Sequence, residues 1–223
     1  NAETYNVAVG GNAGLSVTSG VQNTLIGGLA GDALTDADAN VAIGIGALGS
    51  DTLGSLSVAV GANALNAQNL TTATNTYSVA VGHFAGAAVT TGVENTLIGG
   101  LAGDALTVGI RNVAVGKGAL TTDVGGNKSV AIGHSALEAQ NLGATTTDAF
   151  NTAVGYNAGS AVTTGIQNTF VGGSAGDATN DGAENVAVGY AALSANCGNG
   201  NGAFGYAALF QCTGQFNTAV GTS

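Results

Sequence analysis

The sequence predicts an all-β protein, a parallel β-solenoid of about thirteen coils, each roughly 16–22 residues long. Three observations carry that reading. A five-residue phrase, Asn/Ser-x-Ala-Val/Ile-Gly with minor variants, recurs from one end of the chain to the other. The spacing between copies is nearly constant, which is the mark of a stacked repeat rather than of a globule. Within each copy, as in "NVAVG", residues alternate with period two and are rich in β-branched types, the pattern of a strand.

The phrase opens at Asn6, Asn23, Asn40, Ser57, Ser78, Asn95, Asn112, Ser129, Asn151, Asn168, Asn185, Asn201 and Asn217. Successive openings are therefore separated in the numbering by 17, 17, 17, 21, 17, 17, 17, 22, 17, 17, 16 and 16. Eight positions after each of the first twelve openings stands Gly or Leu, in the order Gly, Gly, Leu, Leu, repeated three times. A second period of four coils is therefore nested on the first. It divides one rod, residues 1–223, into blocks 6–77, 78–150 and 151–216, with a further coil beginning at 217–223. "NTLIGGLAGDALT" stands letter for letter at 23–35 and 95–107, and has drifted to "NTFVGGSAGDATN" at 168–180. Each coil reads as strand, turn, strand, turn, with Gly20, Gly54, Gly92, Gly109, Gly126, Gly165 and Gly182 supplying tight turns. Apolar residues never persist at helical spacing, and Gly interrupts every coil, so helix is excluded. At ~4.8 Å per coil the stack makes a rod of roughly 60 Å.

Composition bounds the function. Thirteen acids against three bases give a formal charge of −10, so nothing could replace the counterions on a nucleic acid. No apolar run approaches the ~18 residues of a membrane span. The chain shows neither a signal peptide nor an initiator Met and reads as a mature product or an excised segment.

The Asn/Ser column reads as structural, side chains bonding from coil to coil at a corner. Both faces of the strand are apolar, one carrying Val and Ile, the other Ala or Leu. A coil this thin has one interior. Ala inside leaves a long Val/Ile stripe outside, and the reverse leaves a milder one. Either stripe predicts self-association.

"NVAVGGNAG", "SVAIGHSAL" and "NTAVGYNAG" resemble the head repeats of trimeric autotransporter adhesins, and similar phrases occur in bacteriophage tail fibres. The resemblance runs from Asn6 to Gly221. It implies a left-handed β-roll with three chains about one axis. The longer coil and the four-coil block depart from that pattern, and no neck, stalk or membrane anchor is read within residues 1–223.

Candidate chemistry is sparse. "GGLAGDALT" approaches a calcium nonapeptide and places Asp32, Asp104 and Asp177 on its acidic position, but only once per four coils. An Asp bonding its own turn is the competing reading. His83 and His134 share a variable column, five residues into their coils, that also holds Lys117 and Tyr156. That column reads as a solvated rim. No Ser/His/Asp set or P-loop is evident, so neither enzymatic activity, cofactor nor metal is expected. The Thr-rich corners "VTSG" and "VTTG" raise an ice-binding alternative. The insertions "LTTATNTY" (70–77) and "LGATTTDAF" (142–150) offer contact loops through Thr71, Thr72, Thr74, Thr145, Thr146 and Thr147. Cys197 and Cys212, twelve and eleven residues into neighbouring coils, are expected to form a disulfide.

The expected function is that of an extracellular adhesive or structural fibre segment on a cell or virion surface. Self-association as a homotrimer or an end-to-end filament is expected, with a surface receptor or glycan as partner. A monomeric ice- or glycan-binding solenoid is the alternative from another class. Nucleic acid and membrane insertion are excluded as partners of this segment.

Overall fold

The computed structural model describes residues 3–222 as one parallel β-solenoid. Thirteen short strands stack in sequence order into a single sheet: Val7–Val9, Thr24–Ile26, Val41–Ile43, Val58–Val60, Val79–Val81, Thr96–Ile98, Val113–Val115, Val130–Ile132, Thr152–Val154, Thr169–Val171, Val186–Val188, Gly202–Phe204 and Thr218–Val220. Every pairing is parallel, and the register follows the spacing of the phrase, including Val58 on Val79 and Val130 on Thr152 across the two longer coils. No described residue is helical.

The second strand that the sequence suggests survives only as two-residue pairs in four coils, Gly54–Ser55 with Thr74–Asn75 and Gly126–Asn127 with Thr147–Asp148; otherwise the return side is not a strand. It is a stack of turns. Within a coil, Ala13 N–H donates to Gly10 C=O and Leu34 N–H to Gly31 C=O. Between coils the amides still pair in register, as Gly31 to Ala47 (2.9 Å) and Leu48 to Ala64 (3.0 Å). The cause is backbone conformation. The residue eight after each opening is left-handed whether it is Gly14 (φ 61°) or Leu48 (φ 53°), and an extended strand cannot contain it.

The glycines expected to make turns do something else. Gly20, Gly109 and their equivalents have ordinary φ. A Cβ at most of them would meet a backbone oxygen of the next coil, Ala37 C=O at Gly20 and Gly126 C=O at Gly109, while at Gly54 and Gly126 it would meet the carboxylates of Asp51 and Asp123 in the same coil. The left-handed corner falls instead on the residue before each Asn or Ser, for example Gln22 (φ 61°) and Glu94 (φ 59°). Glycine is obligatory where the strand ends. Gly99 has φ 134°, and a Cβ on it would meet Gly116 C=O at 2.5 Å.

The Asn column closes each coil and joins it to the next. Asn112 Nδ2 donates to Gly126 C=O, fourteen residues on in its own coil (2.8 Å), and its Oδ1 accepts the Ser129 N–H of the following coil (2.9 Å). The same pair of bonds recurs at Asn6, Asn23, Asn40, Asn151 and Asn168. Asn95 also donates to its own Gly109 C=O. From Asn23 to Asn201 the ladder is buried, so each Asn side chain satisfies backbone groups that water cannot reach.

The interior takes the central strand residue and leaves Val and Ile outside. Ala42, Ala59, Ala80, Ala114, Ala131 and Ala153 are fully buried, as are the later Ala30, Ala47 and Ala64. Volume is traded across this narrow space. Where the strand carries Leu25, Leu97 or Phe170, the residue six later is Gly31, Gly103 or Gly176. A Cβ on any of these would lie within 3 Å of that large side chain. Where the strand carries Ala114 or Ala131, the space is filled by Leu120 or Leu137, fully buried in the left-handed conformation.

Two outcomes test this packing. Leu97→Ala should destabilise the rod by about 2–5 kcal/mol, the usual cost of a buried leucine truncation. Adding Gly103→Leu, which recreates the pattern of the coil at 112, should recover part of that loss in a denaturation double-mutant cycle. An additive or worse double variant would show that the two positions do not share one space. Limited proteolysis checks the stacking. Arg111, Lys117 and Lys128 are the chain's three basic residues. Their backbones are bonded to the neighbouring coils, Arg111 N–H to Val93 C=O and Ser135 N–H to Lys117 C=O. Native protein should resist trypsin where heat-unfolded chain is cut.

Candidate functional surfaces

The two insertions are anchored loops. Each rejoins the stack through a two-residue parallel pair, Gly54–Ser55 with Thr74–Asn75 and Gly126–Asn127 with Thr147–Asp148. A buried carboxylate holds the start of each. Asp51 accepts Gly54 N–H (3.2 Å), Leu70 N–H (3.0 Å) and the Gln68 amide (2.6 Å). Asp123 accepts Gly126 N–H (3.1 Å), Leu142 N–H (3.2 Å) and the Gln140 amide (2.6 Å). Gln68 and Gln140 also donate to Ser57 and Ser129; Gln140 Oε1 accepts in turn from Asn151 Nδ2 (2.8 Å), while Gln68 Oε1 is buried without a partner. Sequence reasoning missed these four residues. The signal was present, since Asp and Gln stand eleven residues into the third and fourth coils of both blocks.

Of the candidate contact residues, Thr71, Thr72, Thr145 and Thr146 are exposed, while Thr74 and Thr147 are half-buried and donate to Thr72 C=O and Thr145 C=O. Beside the second loop, Lys128 pairs with Asp148 (2.6 Å) and lies 4.9 Å from the Phe150 ring centroid. Arg111 pairs with Glu94 (2.8 Å). These exposed pairs hold the Glu94 and Asp148 carboxyls below their ordinary range, chiefly by direct hydrogen bonding.

The Thr corners are inward-bonded. Thr18, Thr35, Thr90, Thr107 and Thr163 each donate the side-chain hydroxyl to a carbonyl of the next coil. These hydroxyl protons join coils, while the adjacent Thr91 and Thr164 of the two VTTG corners are exposed. Asp32, Asp104 and Asp177 recur at four-coil intervals, roughly 19 Å apart, and Asp104 accepts from Thr121. Among the described residues no three His, Cys, Asp or Glu side chains converge as metal ligands.

The variable column is aromatic and exposed in its later part. His134 stacks on Tyr156 (5.5 Å between centroids) and Tyr190 on Tyr206 (5.6 Å). His83 meets Phe84 edge-on.

Cys197 and Cys212 are both free thiols, so the expected bridge is not formed in the structure. They replace the Asp–Gln pair of the first two blocks. Cys197 is buried beside Thr179 of the preceding coil (3.9 Å), and Cys212 accepts from Asn217 Nδ2 (3.2 Å), as Gln140 does from Asn151. The two sulfurs are engaged with these different neighbours, consistent with the one-residue offset between the cysteines in their coils.

No protein-family model, curated protein or solved structure matches the chain. No described helix is long and apolar enough to cross a membrane.

Thiol chemistry tests the cysteine assignment. Burial pushes the Cys197 thiol above its ordinary range. A raised thiol pKa means less thiolate at neutral pH, so alkylation of Cys197 in native protein should lag behind Cys212 and accelerate as pH rises. Denatured, unreduced protein should label at both positions. A single bridged species would contradict the free pair.

Proposed function

We propose that the chain is a segment of an extracellular, non-enzymatic fibre, a rod of three chains that holds a binding surface away from a cell or virion. The observation that supports this reading is the outward Val/Ile column. Ile26, Val81, Ile98, Ile132, Val171 and Val188 are each 36–39% exposed on one continuous face. Val7, Val9, Phe204 and Val220 extend the face toward both ends. The column carries no charge over thirteen coils, and contiguous apolar surface of this kind marks contact sites. Three as the number of chains comes from the resemblance to adhesin head repeats. The column is nearly invariant from coil to coil, so a second copy lying alongside meets the same surface at every level.

Size-exclusion chromatography with light scattering tests the proposal. The parent protein should have three times the mass of the 21.2 kDa chain. Replacing Val60, Val81 and Val115 with Lys should reduce it to the single-chain mass with the β circular-dichroism signal kept, because these side chains point away from the core. Surface changes of this kind alter stability by about 0.5 kcal/mol each. A parent that already runs as one chain, or a triple variant that keeps the parent's mass, would refute the assembly. Open-ended species that lengthen with concentration would favour an end-to-end filament.

A further inference from the structure

The third block lines with aromatic rings a groove whose smaller counterpart in the first block, about 360 Å³ beside Asp32 and Ile45, carries none. Tyr190 and Tyr206 occupy the same position in adjacent coils and stack, 17° from parallel, with about 60% of each residue exposed. They form one wall of a groove of about 610 Å³ that crosses three coils, with Phe210, Ser174, Asp177 and Ser194 also lining it. At the positions of Tyr190, Tyr206 and Phe210 the first block has Ile45, Ala62 and Asn66, and the second has Lys117, His134 and Glu138.

We propose that this groove binds a neutral oligosaccharide. The volume falls in the range of small-ligand sites. The two rings are nearly parallel in adjacent coils, which makes a strip rather than the converging box that encloses an ammonium group. A strip of aromatic surface suits the apolar face of a pyranose ring. The polar lining suits its hydroxyls. In the second block, Asp104 accepts a hydrogen bond from Thr121. In the third, Ser194 takes the place of that threonine and donates instead to Ser174 C=O (2.9 Å). Asp177 Oδ1 is left buried and without a partner. An orphaned acceptor is unfavourable until a donor reaches it, and rotation of the carboxylate would offer it to a sugar hydroxyl. Acidic sugars and nucleotides are disfavoured by Asp177, by the absence of any base in the lining and by the net charge of −10. The proposal deepens the reading of the chain as a display rod. The groove is complete within one chain, so it does not depend on the number of chains in the assembly.

The intact chain should be titrated with neutral hexasaccharides of glucose, galactose, mannose and N-acetylglucosamine, read by calorimetry and tyrosine emission. The chain has no Trp, and Tyr190 and Tyr206 are two of its five tyrosines, so emission reports on the groove directly. At least one saccharide should bind saturably. Tyr206→Ala should weaken it about tenfold, the scale of one aromatic contact. Tyr206→Phe should retain binding, and Asp177→Asn, which keeps the shape, should weaken it. Tyr156→Ala, in the same column but outside the groove, should leave it unchanged. The proposal is overturned if no saccharide binds at millimolar concentration, if Tyr156→Ala weakens binding as much as Tyr206→Ala, or if tetramethylammonium saturates the groove and the saccharides do not. Light scattering on the same samples separates the two proposals. A single chain that binds sugar overturns the assembly alone, and a three-chain particle that binds none overturns the groove alone.

Discussion

The interior of this solenoid has little spare volume, and most of its sequence follows from that width. A strand on one side and a stack of turns on the other leave space for Ala against Leu, or Leu against Gly, but not for Leu against Leu. Leu97 fills the space over Gly103, and Leu120 fills it over Ala114. A left-handed Leu is strained relative to Gly, and full burial of its side chain, worth about 1.5–3 kcal/mol, offsets the strain. Large strand residues recur at Leu25, Leu97 and Phe170, so the exchange of volume repeats every four coils. The four-coil block is thus a packing unit. In the first coil of each block both positions are small, as Ala80 with Gly86, and the large side chains of neighbouring coils, Leu97 and Leu65, reach into the space. A duplication that breaks the block would separate those coils from the neighbours that fill them.

Polar residues inside the rod do a second task, which is to bond backbone that the stacking leaves unpaired. Asn reaches both its own coil's end and the next coil's beginning. Ser57 and Ser129 accept instead from Gln68 and Gln140, whereas Ser78 accepts the Asn95 N–H of the next coil unaided (3.4 Å). Those same glutamines bind the carboxylates that anchor the insertions. In the first two blocks, Ser57 or Ser129 in place of Asn at the fourth coil, the buried Asp–Gln pair and the lengthened coil therefore occur together. The third block supports the correlation by lacking the whole set. Asn201 stands in phase with Ser57 and Ser129, the coils that open at Asn185 and Asn201 are shortened, Cys197 and Cys212 replace Asp and Gln, and no insertion follows. The loss is not free of consequence, since Asn185 Nδ2 is buried without a partner.

Register and coil number were legible because they are counts, and a count along the chain survives any misjudgement of local conformation. The structural reading of the Asn column was legible for the same reason, since only a side chain bonding along the stack needs one residue type at every level. Which face points inward was not legible. Hydrophobicity separates apolar from polar, and here it had to separate Ala from Val. Cross-section decides that question, because two Val-rich layers would not fit. That a second strand does not run through every coil was not legible, because the left-handed backbone eight residues into each coil leaves no trace in hydropathy; only four coils keep a two-residue second strand. The glycines near the coil ends suggest turns on conformational grounds, but their constraint is close contact, with the next coil's backbone at Gly20 and Gly109 and with the Asp51 and Asp123 carboxylates at Gly54 and Gly126. Asp51, Gln68, Asp123 and Gln140 were missed because polar residues scattered among Thr and Asn read as surface until the stack aligns them.

The outer surface divides by how much each column varies. The Val/Ile column is nearly constant, because every coil must present the same β-branched strand to its neighbours in the sheet, and constancy suits a contact that repeats at each level. The column five residues into the coil is under no such demand. Its side chains lie outside the core and outside the ladder, so Gly, Ile, Ala, His, Lys and Tyr are all compatible with the fold. Freedom of that kind lets one block diverge without disturbing the other two. The third block has done so, placing two tyrosines in adjacent coils, and one aspartate nearby has lost the hydrogen-bond donor its counterpart in the second block retains. A repeat protein gains a local site by breaking its own symmetry at positions where symmetry contributes nothing to stability.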